Sequence, residues 1–91
     1  MINYDLIGRA LLHPTAQNVL EALRHHPEPL GSIGLSRLLD TPVSNVSYHV
    51  KVLAGDRDGP FADTPLLTLH HTEQKRGAVA HFYTLSKAAV R

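Results

Sequence analysis

The hydrophobic pattern of this 91-residue chain changes its period once, and that change limits the folds open to it. Before residue 55, apolar residues recur at spacings of three and four, as on one face of a helix. After residue 65, apolar and polar residues alternate, as along a β-strand. The stretch from Gly55 to Pro65 is rich in Gly, Pro and Asp, which favours a loop. The sequence therefore predicts one small α+β domain, with helices first and a β-hairpin at residues 66–85.

Four helices are predicted before the loop. The first covers residues 4–12, and the second begins near Pro14 and ends at residues 25–27, where another proline interrupts it. A short third helix is expected next, with Ser32 as its N-cap. The residues expected to form the apolar stripe of the second helix are Ala16, Val19, Leu20 and Leu23.

The fourth helix is predicted to run from about residue 42 to residue 54. Thr41 precedes it as a capping residue, and Pro42 is a residue type favoured at the first helical position. Its apolar residues share one face by their spacing: Val43, Val46, Val50 and Leu53. The polar residues on the other side are Ser44, Asn45, Ser47, Tyr48 and Lys51.

The hairpin has a predicted register. Placing apolar residues together across the strands requires Leu67 to meet Leu85 and Leu69 to meet Tyr83. The tip of the hairpin is then residues 73–78, and it is cationic.

The histidines raise the question of a metal site. His70 and His71 are neighbours on a predicted strand, so their side chains should point to opposite faces and not share an ion. The register places His71 opposite His81, but two ligands do not make a zinc site, and further ligands could come only from Glu73 or from a partner. A packed cross-strand histidine pair is therefore favoured over a metal site, and no cofactor is expected.

Composition excludes several function classes. Nine Lys and Arg against eight Asp and Glu give a net charge of +1, so binding to nucleic acid would have to rest on local placement of charge. The chain has no Cys, which excludes disulfides, thiolate nucleophiles and Cys-based zinc sites. It has no Gly-rich phosphate loop, nucleophile elbow or paired carboxylates, so we expect no enzyme. Without a secretory signal or a long apolar run, we expect a cytoplasmic protein.

The order of elements is that of a winged helix-turn-helix domain. A helix that enters the major groove needs short hydrogen-bonding side chains in its first turns and a cation further along to meet phosphate. The fourth helix fits this requirement, and the candidate DNA-contacting residues of helix and hairpin tip are Ser44, Asn45, Ser47, Tyr48, Lys51, Lys75 and Arg76. The alternative interpretations are a merely solvated helix face and a charged tip that serves solubility.

Several segments also resemble the ArsR-type winged-helix transcriptional regulators. They are Leu12-His13-Pro14-Thr15, Leu35-Ser36-Arg37-Leu38-Leu39, Val46-Ser47-Tyr48-His49-Val50-Lys51-Val52-Leu53 and Tyr83-Thr84-Leu85. The resemblance covers about residues 10–85. It implies base contacts from Ser44, Asn45, Ser47 and Tyr48, a phosphate contact from Lys51, and wing contacts from Lys75 and Arg76.

The sequence also departs from the pattern of that family. Residues 33–40 lack the Cys-x-Cys pair of the metal-sensing members, which excludes thiolate metal sensing. The loop at residues 55–66 is longer and more acidic than the usual link, so Asp56, Asp58 and Asp63 must point away from DNA or weaken binding.

The resulting hypothesis is a sequence-specific regulator of double-stranded DNA. We expect a repressor that occludes its operator as a symmetric homodimer, with Leu6, Ile7 and Leu11 of the first helix at the dimer surface. The alternative is a winged-helix module for protein–protein contact, for which the near-neutral charge and acidic loop are the informative features. A steep loss of affinity with salt would favour DNA binding over an apolar protein interface.

Overall fold

The computed structural model of the chain describes residues 13–56, 61–87 and 89. Within them the elements are, in chain order, α1 (Pro14–His25), α2 (Ser32–Leu39), α3 (Val43–Leu53), β1 (Leu67–Lys75) and β2 (Ala78–Leu85). The predicted order of helices followed by a hairpin is confirmed, with three helices where four were expected. The helix predicted at residues 4–12, with Leu6, Ile7 and Leu11, lies outside the described residues. No helix in the described part is long and apolar enough to cross a membrane.

The boundaries of α1 agree with the prediction. Pro14 occupies the first turn, where its missing N–H costs nothing, and the carbonyl of His13 accepts the first helical hydrogen bond, from Gln17 at 3.0 Å. The expected apolar stripe faces the core, with Leu20 partly buried and the other three residues buried. Arg24 and His25 lie in the last turn, where positive charge is favoured by the helix dipole.

The start of α2 differs from the prediction. Ser32 is the first helical residue and Gly31 is the N-cap, with no side-chain capping bond. The assignment of Ser32 as the cap was therefore wrong by one position. At its other end α2 stops at Asp40, whose φ of 50° is left-handed and turns the chain toward α3.

Hydrogen bonds fix the turn between α2 and α3. The backbone N–H of Thr41 donates to the Ser36 carbonyl at 3.1 Å, and the Ser36 hydroxyl donates to the Thr41 carbonyl at 2.6 Å. The Thr41 hydroxyl donates back to the Leu39 carbonyl at 3.0 Å, so it does not cap α3 as predicted. Pro42 is the N-cap, and α3 begins at Val43.

The predicted register of the hairpin is confirmed near its base and wrong further out. Leu67 pairs with Leu85, and Leu69 pairs with Tyr83. A β-bulge between Leu69 and His71 then adds one residue to β1, so that His71 pairs with Phe82 and Thr72 with His81. The predicted pairing of His71 with His81 was therefore wrong. A bulge has no signal in the alternating pattern, because the polar residues continue through it.

The tip of the hairpin is tighter than predicted. The strands remain paired as far as Lys75 and Ala78, so Arg76 and Gly77 alone form the turn, in place of residues 73–78. Gly77 has a φ of +70°, a conformation that glycine adopts without steric cost. The wing is therefore a long, paired ribbon with one arginine at its end.

A short bridge ties the helices to the hairpin. The N–H of Leu30 donates to the Tyr83 carbonyl at 3.1 Å, and the N–H of Tyr83 donates to the Leu30 carbonyl at 2.9 Å. After the loop, the N–H of Leu66 donates to the Leu53 carbonyl at 2.8 Å. The Leu66 carbonyl accepts a hydrogen bond from the N–H of Ser86 at 2.9 Å. These bonds attach the base of the wing to the end of α3 and to the segment between α1 and α2.

The core draws on every element and on the loop. Its buried residues are Ala16, Val19, Leu23, Leu35, Val46, Val50, Leu53, Phe61, Leu66, Leu67 and Tyr83. Phe61 and Leu66 were not expected there, because single apolar residues in a loop have no periodicity. Val43, which spacing placed on the apolar face of α3, is 45% exposed, and Leu69 is 48% exposed. Spacing assigns a residue to a face, but it does not tell whether a neighbouring element covers that end of the face.

Candidate nucleic-acid interface

The outer face of α3 is polar and open to solvent. Val46, Val50 and Leu53 point into the core, whereas Tyr48 and Lys51 between them are exposed. Five residues of this helix were predicted to contact DNA. Ser47 is partly buried, and the other four are exposed: Ser44, Asn45, Tyr48 and Lys51. The helix therefore presents hydroxyl and amide groups in its first two turns and a lysine in its last turn.

The helix that presents this face is packed from two sides. Both α1 and α2 contact α3, and they also contact each other. Leu35 of α2 is fully buried in this packing. The Ser36 and Thr41 hydrogen bonds hold the turn before α3. The start of α3 is therefore positioned by packing and by a closed turn, which is the arrangement of a helix-turn-helix unit.

His49 lies at the boundary of this face. Its ring centroid is 5.5 Å from that of His13 and 5.2 Å from that of Tyr48, which it meets edge-on. Burial, and then the nearby His13, lower the pKa of His49 from its usual value of 6.5. At neutral pH the ring is uncharged, so His49 adds no cation to the face.

The two predicted wing residues have different surroundings. The Lys75 Nζ lies 3.0 Å from Oε1 of Glu73, while the other Glu73 oxygen, Oε2, lies 3.0 Å from Nε2 of His71. Hydrogen bonds from His71 and Lys75 lower the pKa of Glu73, which keeps it ionised. Arg76 has no ion pair with any residue in the described ranges. At the tip, Arg76 is therefore the less neutralised of the two cations.

The acidic loop is partly tied down. The Tyr83 hydroxyl donates a hydrogen bond to the carboxylate of Asp56. Burial first, and then the Asp56 charge, raise the pKa of Tyr83. Asp63 is exposed, and Asp58 lies outside the described residues. Asp56 is thus held by a hydrogen bond from Tyr83 of β2.

Two exposed residues beside the turn were not among the sequence candidates. Arg37 lies in the last turn of α2, is exposed, and forms no ion pair within the described part of the chain. Val43, at the start of α3, is exposed where the sequence pattern placed it inside. Their only sequence signal is their position on either side of the turn.

As for metals, the described residues contain no group of three or more His, Cys, Asp or Glu that could hold an ion.

These features define a class of protein. A short helix, a closed turn and a second helix with an exposed polar face, followed by an antiparallel hairpin, form a helix-turn-helix domain with a wing. A comparison with protein-family models agrees, because residues 11–56, just over half of the chain, match the helix-turn-helix domain family. The chain belongs to this family, which is found in ArsR-type regulators and points to a DNA-binding regulator. No curated protein and no solved structure matches the chain.

Proposed function

We propose that this protein is a sequence-specific regulator of transcription that binds double-stranded DNA through α3. The observation that carries the proposal is the exposed polar face of α3, held by a closed turn in a chain of the helix-turn-helix family. Serine, asparagine and tyrosine side chains are of the length and chemistry that hydrogen bond base edges in the major groove. The resemblance to ArsR-type regulators favours the same assignment. A cytoplasmic location remains the expectation from the sequence.

Each candidate residue has a role in this proposal. Ser44, Asn45, Ser47 and Tyr48 contact base edges, and Lys51 contacts a phosphate. Exposed Val43 adds an apolar contact of the kind that a thymine methyl group accepts.

The wing and the turn add backbone contacts. Arg76 at the tip reaches a neighbouring phosphate or the minor groove, and Lys75 contributes less because Glu73 pairs with it. Arg37 is a further candidate phosphate contact beside the turn. These contacts position the domain on the duplex and carry no sequence preference of their own.

The proposed mode of action is repression by occlusion. A symmetric homodimer places two copies of α3 in successive major grooves, about 34 Å apart, so that the operator is palindromic. A dimer bound across a promoter excludes polymerase by its bulk.

Fluorescence anisotropy tests the proposal. The purified chain is titrated with a labelled duplex from upstream of its own gene and with a scrambled duplex, each at two salt concentrations. We expect the native duplex to bind about 10³-fold more tightly, with affinity falling steeply as salt rises. Weak and equal binding to both duplexes would overturn the proposal.

Two variants separate base reading from phosphate contact. Asn45→Ala should relax specificity at one base pair and cost about 1–3 kcal/mol on the native site. Lys51→Ala should weaken binding to all sequences and lower the salt slope by about one unit. The matched controls are Asn18→Ala on the exposed side of α1 and Lys87→Ala beyond β2. Equal losses in a variant and its control would contradict the assigned role.

A further inference from the structure

Two neighbouring histidines on the wing meet in space. The ring centroids of His70 and His71 are 5.0 Å apart at an interplanar angle of 82°, and their Nδ1 atoms are 2.8 Å apart. In a regular strand, neighbouring side chains point to opposite faces. The β-bulge between Leu69 and His71 removes that alternation, so both imidazoles lie together at an exposed site.

The surroundings of His71 fix its orientation and its proton. Its ring stacks on Phe82 with a centroid distance of 4.7 Å and an interplanar angle of 0°. Its Nε2 lies 3.0 Å from the Glu73 carboxylate, so the neutral ring carries its proton there and donates it to Glu73. The Nδ1 of His71 is then left with a lone pair. A carboxylate behind the far nitrogen is the usual support of a metal-binding histidine.

The distance between the two nitrogens is close to the separation of two ligands on one metal ion. With metal–nitrogen bonds of about 2.0–2.1 Å, ligands at a right angle are about 2.9 Å apart, and ligands at the tetrahedral angle about 3.3 Å apart. The observed 2.8 Å is a hydrogen-bond distance, and it brings the two nitrogens close enough to bind one ion. Square-planar and tetragonal sites with nitrogen ligands are typical of Cu²⁺ and Ni²⁺, and Cu²⁺ binds such ligands more tightly.

We propose that the Nδ1 atoms of His70 and His71 chelate one Cu²⁺ ion on the wing, with water in the remaining positions. No third His, Cys, Asp or Glu of the described residues completes a protein cage, so the site is open. In the metal-free form, the Nδ1–H of His70 donates to the lone pair of His71. On binding, His70 takes the tautomer with its proton on Nε2, so both rings stay neutral and no net proton is released. This proposal does not depend on DNA binding.

The chain contains its own control for this site. His25 and His26 are also neighbours, but the nitrogen atoms that they use have separate partners. Nε2 of His25 lies 3.1 Å from Glu21, and Nδ1 of His26 lies 3.3 Å from the Glu28 carbonyl oxygen. The same dipeptide thus occurs twice, and at the end of α1 each ring has a partner of its own.

Copper titration of the full chain tests the proposal. Isothermal calorimetry in a weakly coordinating buffer should give one Cu²⁺ per chain, with an EPR spectrum of tetragonal nitrogen coordination. We expect His70→Gln and His71→Gln each to weaken binding by at least about tenfold, and Glu73→Gln to weaken it by about 10- to 100-fold. His25→Gln and His26→Gln should leave the affinity unchanged. Substoichiometric Cu²⁺ should broaden the imidazole NMR signals of His70 and His71 first.

Two results would overturn the chelate. One is an equal loss of affinity in His25→Gln and His70→Gln, and the other is broadening of all imidazole signals alike, which indicates adventitious binding. The far-UV circular dichroism and amide spectrum of each variant show whether the hairpin is retained. Should His71→Gln disturb the hairpin, exposed His70 still supplies the decisive variant.

Discussion

His49 links the stability of the helix-turn-helix unit to pH. Its ring is partly buried on α3 and lies close to His13, and both features lower its pKa. The unfolded chain therefore binds a proton at His49 more readily than the folded chain does. The contribution of His49 to stability is complete above its unfolded pKa, which is 6.5 for a free side chain, and is lost as pH falls through the lower pKa of the folded chain.

We expect the melting temperature to fall between about pH 7.5 and about pH 5.5, and to fall less in His49→Gln. Glutamine keeps a polar side chain but cannot be protonated in this range. Thermal denaturation followed by circular dichroism measures the difference. His81→Gln, on the exposed wing, is the control and should lose as much stability as the unmodified chain. Identical pH slopes in His49→Gln and the unmodified chain would refute the assignment.

At the scale of elements, the sequence predicted what depends on periodicity and little that depends on neighbours. The bounds of α1, the outer face of α3 and the base of the hairpin follow from spacing and from proline. The bulge at His70 does not follow from spacing, because residues 70–75 are all polar and adding one residue leaves their pattern unchanged. The ion pair of Glu73 with Lys75 also depends on how far the strands stay paired. The candidate DNA-contacting face was therefore predictable, and the local charge of the wing was not.

Two glycines in different elements should respond oppositely to alanine. Gly34 lies inside α2, and an added Cβ would make an ordinary van der Waals contact with the Leu30 side chain at 3.7 Å. Gly34→Ala should raise the free energy of unfolding by about 0.5–1 kcal/mol. Gly55 follows α3 with a φ of +80°, and an added Cβ would lie 2.7 Å from the Phe61 carbonyl oxygen. Gly55→Ala should destabilise the chain by more than about 1 kcal/mol.

Urea denaturation of both glycine variants measures these changes. Because the substitution is the same, each variant is the control for the other. Two changes of the same sign would contradict the positions of these residues in the fold.

The proposed dimer is a property of the whole molecule. The predicted apolar face of the first helix carries Leu6, Ile7 and Leu11 and is the expected contact between protomers. Sedimentation equilibrium should give twice the 10.0 kDa mass of the chain, and Ile7→Glu should give the monomer mass. Arg9→Gln makes the same change of −1 in net charge at a residue outside the predicted apolar face and should stay dimeric. A monomer at concentrations that saturate the operator would refute the dimer.

The bridge between Leu30 and Tyr83 makes the helical part of the chain depend on the hairpin. Each residue satisfies the backbone N–H and carbonyl of the other, across more than half of the chain. A fragment cut after residue 56 would keep α1, α2 and α3 but leave Leu30 unpaired and remove Phe61, Leu66 and Tyr83 from the core. During synthesis the helices leave the ribosome before their last partner exists. We therefore expect the helix-turn-helix and the wing to complete folding together, as one cooperative unit.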